Sequence, residues 1–122
     1  MRIAGLGFRA AAGIDSLRSA LSSAGGTEGL IALATAAEKV QAPALVALAA
    51  ELGLPVRAIT QDTLAAVETR TWSERVAARF HTGSLAEAAA LAAAGPSARL
   101  LGPRAVSADG MATAAIAEGP NE

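Results

Sequence analysis

The chain has 122 residues, ten Lys+Arg against eleven Asp+Glu, a net charge of -1, one histidine and no cysteine, and surface scaling at this size buries about two-thirds of the unfolded chain's area, enough for one domain. A near-neutral balance with no tyrosine, two phenylalanines and one tryptophan excludes the basic, base-stacking face of a nucleic-acid-binding protein. Lack of cysteine removes disulfides, zinc-thiolate sites, iron–sulfur clusters and a thiolate nucleophile, and a lone His81 argues against an all-protein metal site, so neither metal nor cofactor is expected.

The opening Met1–Gly7 carries one positive charge and its apolar residues are broken by glycines, so no secretory leader is expected. Ile3 to Phe8 is short, apolar and glycine-bearing, which predicts a buried strand; Ile14, Leu17 and Leu21 then recur at helical spacing. After Gly25-Gly26-Thr27, the run Leu30 to Ala34 predicts a second strand ending at Thr35, followed by a helix carrying Leu45, Leu48 and Leu52, with Pro43 in its first turn and Gly53 at its stop. Pro55 to Ile59 predicts a third strand, and Thr60 with Asp62 opens a short helix through Leu64 and Val67. Three strand–helix units in succession predict a parallel sheet with helices on its faces.

Ser73 is placed to cap a short helix bearing Val76 and Phe80. Ser84-Leu85-Ala86-Glu87 is a capping box, in which the hydroxyl and the carboxylate each accept from a terminal N–H, and its helix runs to Gly95-Pro96. Arg99-Leu100-Leu101 predicts a fourth strand, and Ala108-Asp109-Gly110 a hairpin turn into Met111–Ala117, which adds antiparallel strands.

Mean hydropathy is +0.40, yet the longest uninterrupted apolar stretch, Ala42–Ala50, stops at Glu51, short of the about 20 residues that cross a bilayer. A soluble cytoplasmic chain without membrane partners is expected. Alanine occurs 34 times and nine of the ten basic residues are arginine, the exception being Lys39. Genome-level codon usage accounts for both skews; a functional need for guanidinium is the alternative. Alanine buries little area, so close backbone packing has to replace large side chains.

Open α/β sheets bind ligands at the carboxyl ends of their parallel strands, which here places Gly7-Phe8-Arg9, Thr35 to Lys39 and Thr60 at the candidate edge. Gly5 to Ala10 matches the dinucleotide pattern G-x-G-x-x-[GA], but Ala10–Gly13 separates it from its helix and Thr35 stands where such a site wants an acid. Glycines that permit tight packing are the simpler reading, ahead of a nucleotide or S-adenosylmethionine site. Arg9, joined by Lys39 and Arg104, is either a solvated surface charge or a fork for a carboxylate or phosphate. Glu87 is accounted for by capping, His81 by an exposed loop, and a Ser84–His81 pair lacks a third member and an oxyanion motif.

Gly5-Leu6-Gly7-Phe8-Arg9, Ala34-Thr35 with Lys39, Glu51 to Val56, Thr82 to Leu91 and Leu100 to Arg104 together resemble the cobalamin-biosynthesis CobE family, similar to the C-terminal domain of the CbiG proteins. The resemblance runs from residue 2 to about 118 in the family's order. It departs at Phe8, where members often carry cysteine, and at Thr71-Trp72-Ser73, where they often read Asn-Pro-Ser. It implies a three-layer α/β/α single domain over residues 1–118 with a mixed, mostly parallel sheet and a C-terminal hairpin, then a loose tail at 119–122. By the resemblance Gly5, Gly7, Arg9, Thr35, Lys39, Gly83, Ser84, Glu87 and Arg104 match motif positions and are the expected ligand-binding residues. The expected activity is binding of a corrin-ring intermediate as an accessory or carrier protein, with other pathway enzymes as further partners. The alternative is an enzyme component, a lactone-opening hydrolase or a precorrin methyltransferase helper, with His81, Glu87 and the other exposed carboxylates as candidate bases.

Overall fold

A computed structural model describes residues 1–120 and exposes 6002 Å², the area expected of a folded chain of 12.0 kDa. In chain order the elements are β1 (Arg2–Phe8), α1 (Ile14–Ala24), β2 (Leu30–Ala36), α2 (Pro43–Leu52), β3 (Val56–Ile59), α3 (Gln61–Ala66), α4 (Glu74–Phe80), α5 (Leu85–Ala94), β4 (Arg99–Leu100), β5 (Ala105–Val106) and β6 (Ala112–Glu118). A single 3-10 turn, Ala37–Lys39, follows β2. The strands form one sheet in the order β3-β2-β1-β6-β4, with β5 also on β6. β1, β2 and β3 are mutually parallel, while β6 runs antiparallel to β1, β4 and β5. Only β6 therefore opposes the common direction, and the sheet is mixed and mostly parallel.

Local signals explain the helix ends. Pro43 sits in the first turn of α2, and Gly53 ends it in the left-handed conformation at φ 67°, which glycine adopts without the Cβ penalty. Thr60 and Ser73 cap α3 and α4 by accepting from Thr63 N and Val76 N. The C-terminal turn forms as the sequence predicts: Ser107 N donates to Ala112 O and Gly110 N to Ser107 O. Just past β6, Gly119 is tied to the start of the chain: its N–H donates to Met1 O at 2.8 Å and the Met1 amine donates back to Gly119 O. Residues 121 and 122 of the expected tail lie outside the described residues.

Strand alternation divides the core into two layers. Ala4, Leu6, Phe8, Leu33 and Ile116 pack with Leu17 and Leu21 of α1 and Leu45 and Leu48 of α2. Ile3, Ala32, Ala34, Ala115 and Ala117 face α5 instead. On that second face nearly every sheet residue is alanine or glycine, and the helix answering it reads Leu-Ala-Glu-Ala-Ala-Ala-Leu-Ala-Ala-Ala. The helix consequently lies very close to the strands. A Cβ at Gly5 would overlap Ala86 O and come within 2.6 Å of Ala90 N.

Substituting Gly5→Ala should lower unfolding stability by about 1–3 kcal/mol through overpacking, read as a reduced urea midpoint. An unchanged midpoint would mean that α5 can retreat from β1 without loss.

Candidate functional site

The carboxyl ends of β1 and β2, the first turn of α4, the start of α5 and the β4–β6 loops converge on one edge of the sheet. Two concavities there share a wall of Phe8, Arg9, Lys39, Arg75 and Phe80. The narrower, of ≈ 230 Å³, is completed by Gly7, Leu85, Arg104, Val106, Met111 and Thr113 among others. The wider, of ≈ 770 Å³, opens over Ala10, Gln41, Ala42 and Pro43.

Among the described residues five cations line this cleft, Arg9, Lys39, Arg75, Arg79 and Arg104, against one carboxylate, Glu38. Glu38 pairs with Arg79 at 3.0 Å. Among the described residues the other four cations have no carboxylate partner. Elsewhere three arginines are matched by acids, Arg2 and Arg99 by Glu118 and Arg18 by Asp15 and Glu51, while Arg57 and Arg70 donate to the carbonyls of Ala93 and Leu100. Lys39 donates to Phe8 O at 2.5 Å and lies 4.6 Å from the Phe8 ring centre and 5.9 Å from that of Phe80. Partial burial is the largest influence on its ammonium and pushes its pKa below the ordinary lysine value; Glu38 works the other way, and Arg75 and Arg79 add to the lowering.

Glu87 plays a part that its capping-box spacing conceals. Ser84 Oγ does accept from Glu87 N at 3.2 Å, the expected half of the box. The carboxylate, fully buried, does not turn back to its own helix. Its Oε1 accepts from Arg70 N at 2.6 Å and Thr71 N at 3.0 Å, and its Oε2 from Thr71 Oγ1 at 2.9 Å and Arg104 N at 2.8 Å. Four donors from two loops thus close on one side chain, which satisfies a buried charge that would otherwise be costly. One loop leads into Ser73 and α4 with Arg75; the other carries Arg104. Gly83 lets these segments meet: a Cβ there would come within 2.5 Å of the Trp72 ring and 2.7 Å of Thr71 O, and Gly83 O accepts from Ser73 N at 2.8 Å.

Of the residues expected from sequence, Gly7, Arg9, Lys39 and Arg104 line the cleft. Gly5 lies under α5. Thr35 is buried and donates to Leu6 O at 2.8 Å, so it does not share a loop surface with Lys39. Gly83, Ser84 and Glu87 are buried supports behind the cleft. His81 is exposed in the left-handed conformation at the end of α4 and lines neither concavity. Sequence reasoning missed Arg75, Arg79 and Phe80. Their available signal was the Arg-x-x-x-Arg spacing behind the Ser73 cap, which puts both guanidinium groups on one helix face.

A family model described as cobalamin synthesis G C-terminus matches residues 2–117. Among solved structures, the chain is similar to CobE, a protein from the cobalamin (vitamin B12) biosynthetic pathway. Identity to it is 32% over 100% of this chain and 92% of that one, with a TM-score of 0.86. It is also similar to the cobalamin biosynthesis protein chiG from Agrobacterium tumefaciens str. C58, at 35% identity over 99% of this chain and 100% of that one, with a TM-score of 0.73. Comparison with the curated proteins gives no match.

Glu87→Ala should reduce unfolding stability by about 3 kcal/mol or more, since several buried donors lose a charged acceptor, and Glu87→Gln by about 1–3 kcal/mol, both measured by denaturant titration. The turn beside the cleft carries a pH signature. Asp109 is held at about 2 by hydrogen bonds from Ser107, Ser16 and Met111 N, in that order of influence. A depressed carboxyl pKa stabilises the fold above its ordinary value of 3.8 and loses that contribution as pH falls toward about 2. Asp109→Asn should flatten the acid limb of the stability profile across that window; an unaltered limb would assign it to other carboxylates.

Proposed function

We propose, since the chain belongs to the cobalamin synthesis G C-terminal family and is a protein of cobalamin biosynthesis, that it binds a corrin-ring intermediate in its cationic cleft as an accessory or carrier protein. The supporting observation is a gathering of charge: four cations with no carboxylate partner among the described residues line one cleft in a chain of net charge -1. Corrin intermediates are flat, largely apolar macrocycles rimmed with acetate and propionate carboxylates. A receptor for them needs an apolar floor ringed by cations, and Phe8, Phe80, Ala42 and Pro43 supply apolar surface beside the guanidinium groups.

The accessory reading is favoured over the enzyme reading by the placement of the candidate bases: Glu38, the carboxylate that lines the cleft among the described residues, is paired with Arg79. Glu87 already accepts from four donors deep behind the cleft, and His81 lies outside both concavities. A proton-abstracting group must reach its proton within hydrogen-bond distance or through one water, and neither residue is placed to do so.

Titrating the protein with hydrogenobyrinic acid and its precursors, followed by absorbance and calorimetry, should give saturable binding, and absence of binding at hundreds of micromolar would sink the proposal. Arg9→Ala should weaken that binding by about 1.5–3 kcal/mol, the value of a lost charged hydrogen bond; unchanged affinity would remove Arg9 from the site. Turnover of a lactone intermediate by the isolated chain, abolished in His81→Ala, would instead favour the enzyme reading.

A further inference from the structure

The two concavities differ in a way that divides a ligand into parts. At ≈ 770 Å³ the wider one lies within the about 300–1,000 Å³ typical of small-molecule sites. The narrower, at ≈ 230 Å³, falls below that range. It suits a short side chain of a ligand rather than a whole ring.

Its lining is equally selective. Arg9, Lys39, Arg75 and Arg104 all face it, and none has a carboxylate partner among the described residues. Among the described residues no Asp, Glu, Asn or Gln lines it, and the side-chain acceptors open to an amide nitrogen there are the hydroxyls of Ser73 and Thr113. A free carboxylate would meet donors on several sides, whereas a neutral amide would lose the charge-assisted bonds and leave one of its own donors poorly matched.

We propose that the narrow concavity is a subsite for one free carboxyalkyl arm of the ligand, while the ring rests in the wider concavity against Phe8 and Phe80. The inference rests on the corrinoid reading above and adds which chemical form is held. A reaction that converts this arm to an amide would empty the subsite. The protein therefore acts upstream of amide formation on the periphery of the ring, on the product of steps that leave that arm as a carboxylate.

The test compares cobyrinic acid, whose side-chain carboxylates are free, with cobinamide, in which they are amides, by calorimetry on the full chain; glutarate and glutaramide serve as ring-free probes. Cobyrinic acid is expected to bind at least tenfold tighter, glutarate but not glutaramide to compete with it, and Arg104→Gln to erase most of the preference. Among the described residues the Arg104 side chain makes no hydrogen bond or ion pair, so this variant is expected to fold, checked by its urea midpoint. Equal affinity for cobyrinic acid and cobinamide would overturn the arm subsite and leave corrinoid binding standing. Binding of glutarate with no binding of either corrinoid would support the carboxylate subsite and overturn the corrinoid reading. Unchanged cobyrinic acid affinity in Arg104→Gln, with no competition by glutarate, would overturn the inference directly.

Discussion

At Gly5 the main chain of α5 occupies the space where a side chain of β1 would be. Distances between a helix and a sheet are ordinarily set by interdigitating side chains; at Gly5 backbone meets backbone instead, across from Ala86 and Ala90. The short separation fixes where the first turn of α5 emerges, and with it Ser84 and Glu87. Glu87 in turn collects the main chain of Arg70, Thr71 and Arg104. The edge of the cleft is thus built outward from one missing methyl group. Much of the alanine excess has a use at this contact, since Ala86, Ala88, Ala89 and Ala90 of α5 are all fully buried; dispersion between closely spaced main chains makes up for the small area each residue buries.

Charge follows the same division of labour. A net value near zero describes a molecule in which acids pair with Arg2, Arg18 and Arg99 on the outer faces, while Arg9, Lys39, Arg75 and Arg104 gather at one edge with no carboxylate partner among the described residues. The bridges of Arg18 and Arg99 are solvent-exposed and that of Arg2 is half-buried, and the exposed ones contribute little to stability. Their larger effect is on the field, because every acid engaged away from the cleft leaves the positive potential at the strand ends intact.

The sequence announced the local features of this fold and was silent on its distant ones. Strand β1, the stop of α2 at Gly53 and the turn at Ala108–Gly110 are written in neighbouring residues, because strand period, helix termination and hairpin chemistry are short-range effects. Family resemblance supplied the three-layer arrangement. The capping box was half right for the same reason: the Ser84 hydroxyl acts three residues away, whereas the Glu87 carboxylate serves residues 16 and 17 positions distant in both directions, a pairing no local pattern encodes. Arg9, Lys39 and Arg104 were legible as loop cations at strand ends. Arg75 and Arg79 were not, since α4 reaches the cleft only once α5 and the loop before it are in place. Thr35 misled in the opposite sense: near Lys39 in sequence, it lies on a strand whose alternation turns its hydroxyl inward, onto Leu6 O.

The antiparallel pairing of β1 with β6 bears on how the molecule is made. Residues 2 to 8 pair in register with residues 118 down to 112, so the central strand of the sheet gains its second neighbour only from the far end of the fold. Contacts of such sequence separation cost loop-closure entropy before they return any stability, which slows folding relative to a helical protein of equal length. Until β6 is synthesised and inserted, one edge of β1 stays open and the alanine-lined face beneath α5 is incomplete. A nascent chain in that condition presents an unpaired, apolar edge to its surroundings, and its assembly ends with the insertion of a strand between β1 and β4 rather than with the addition of one at the margin.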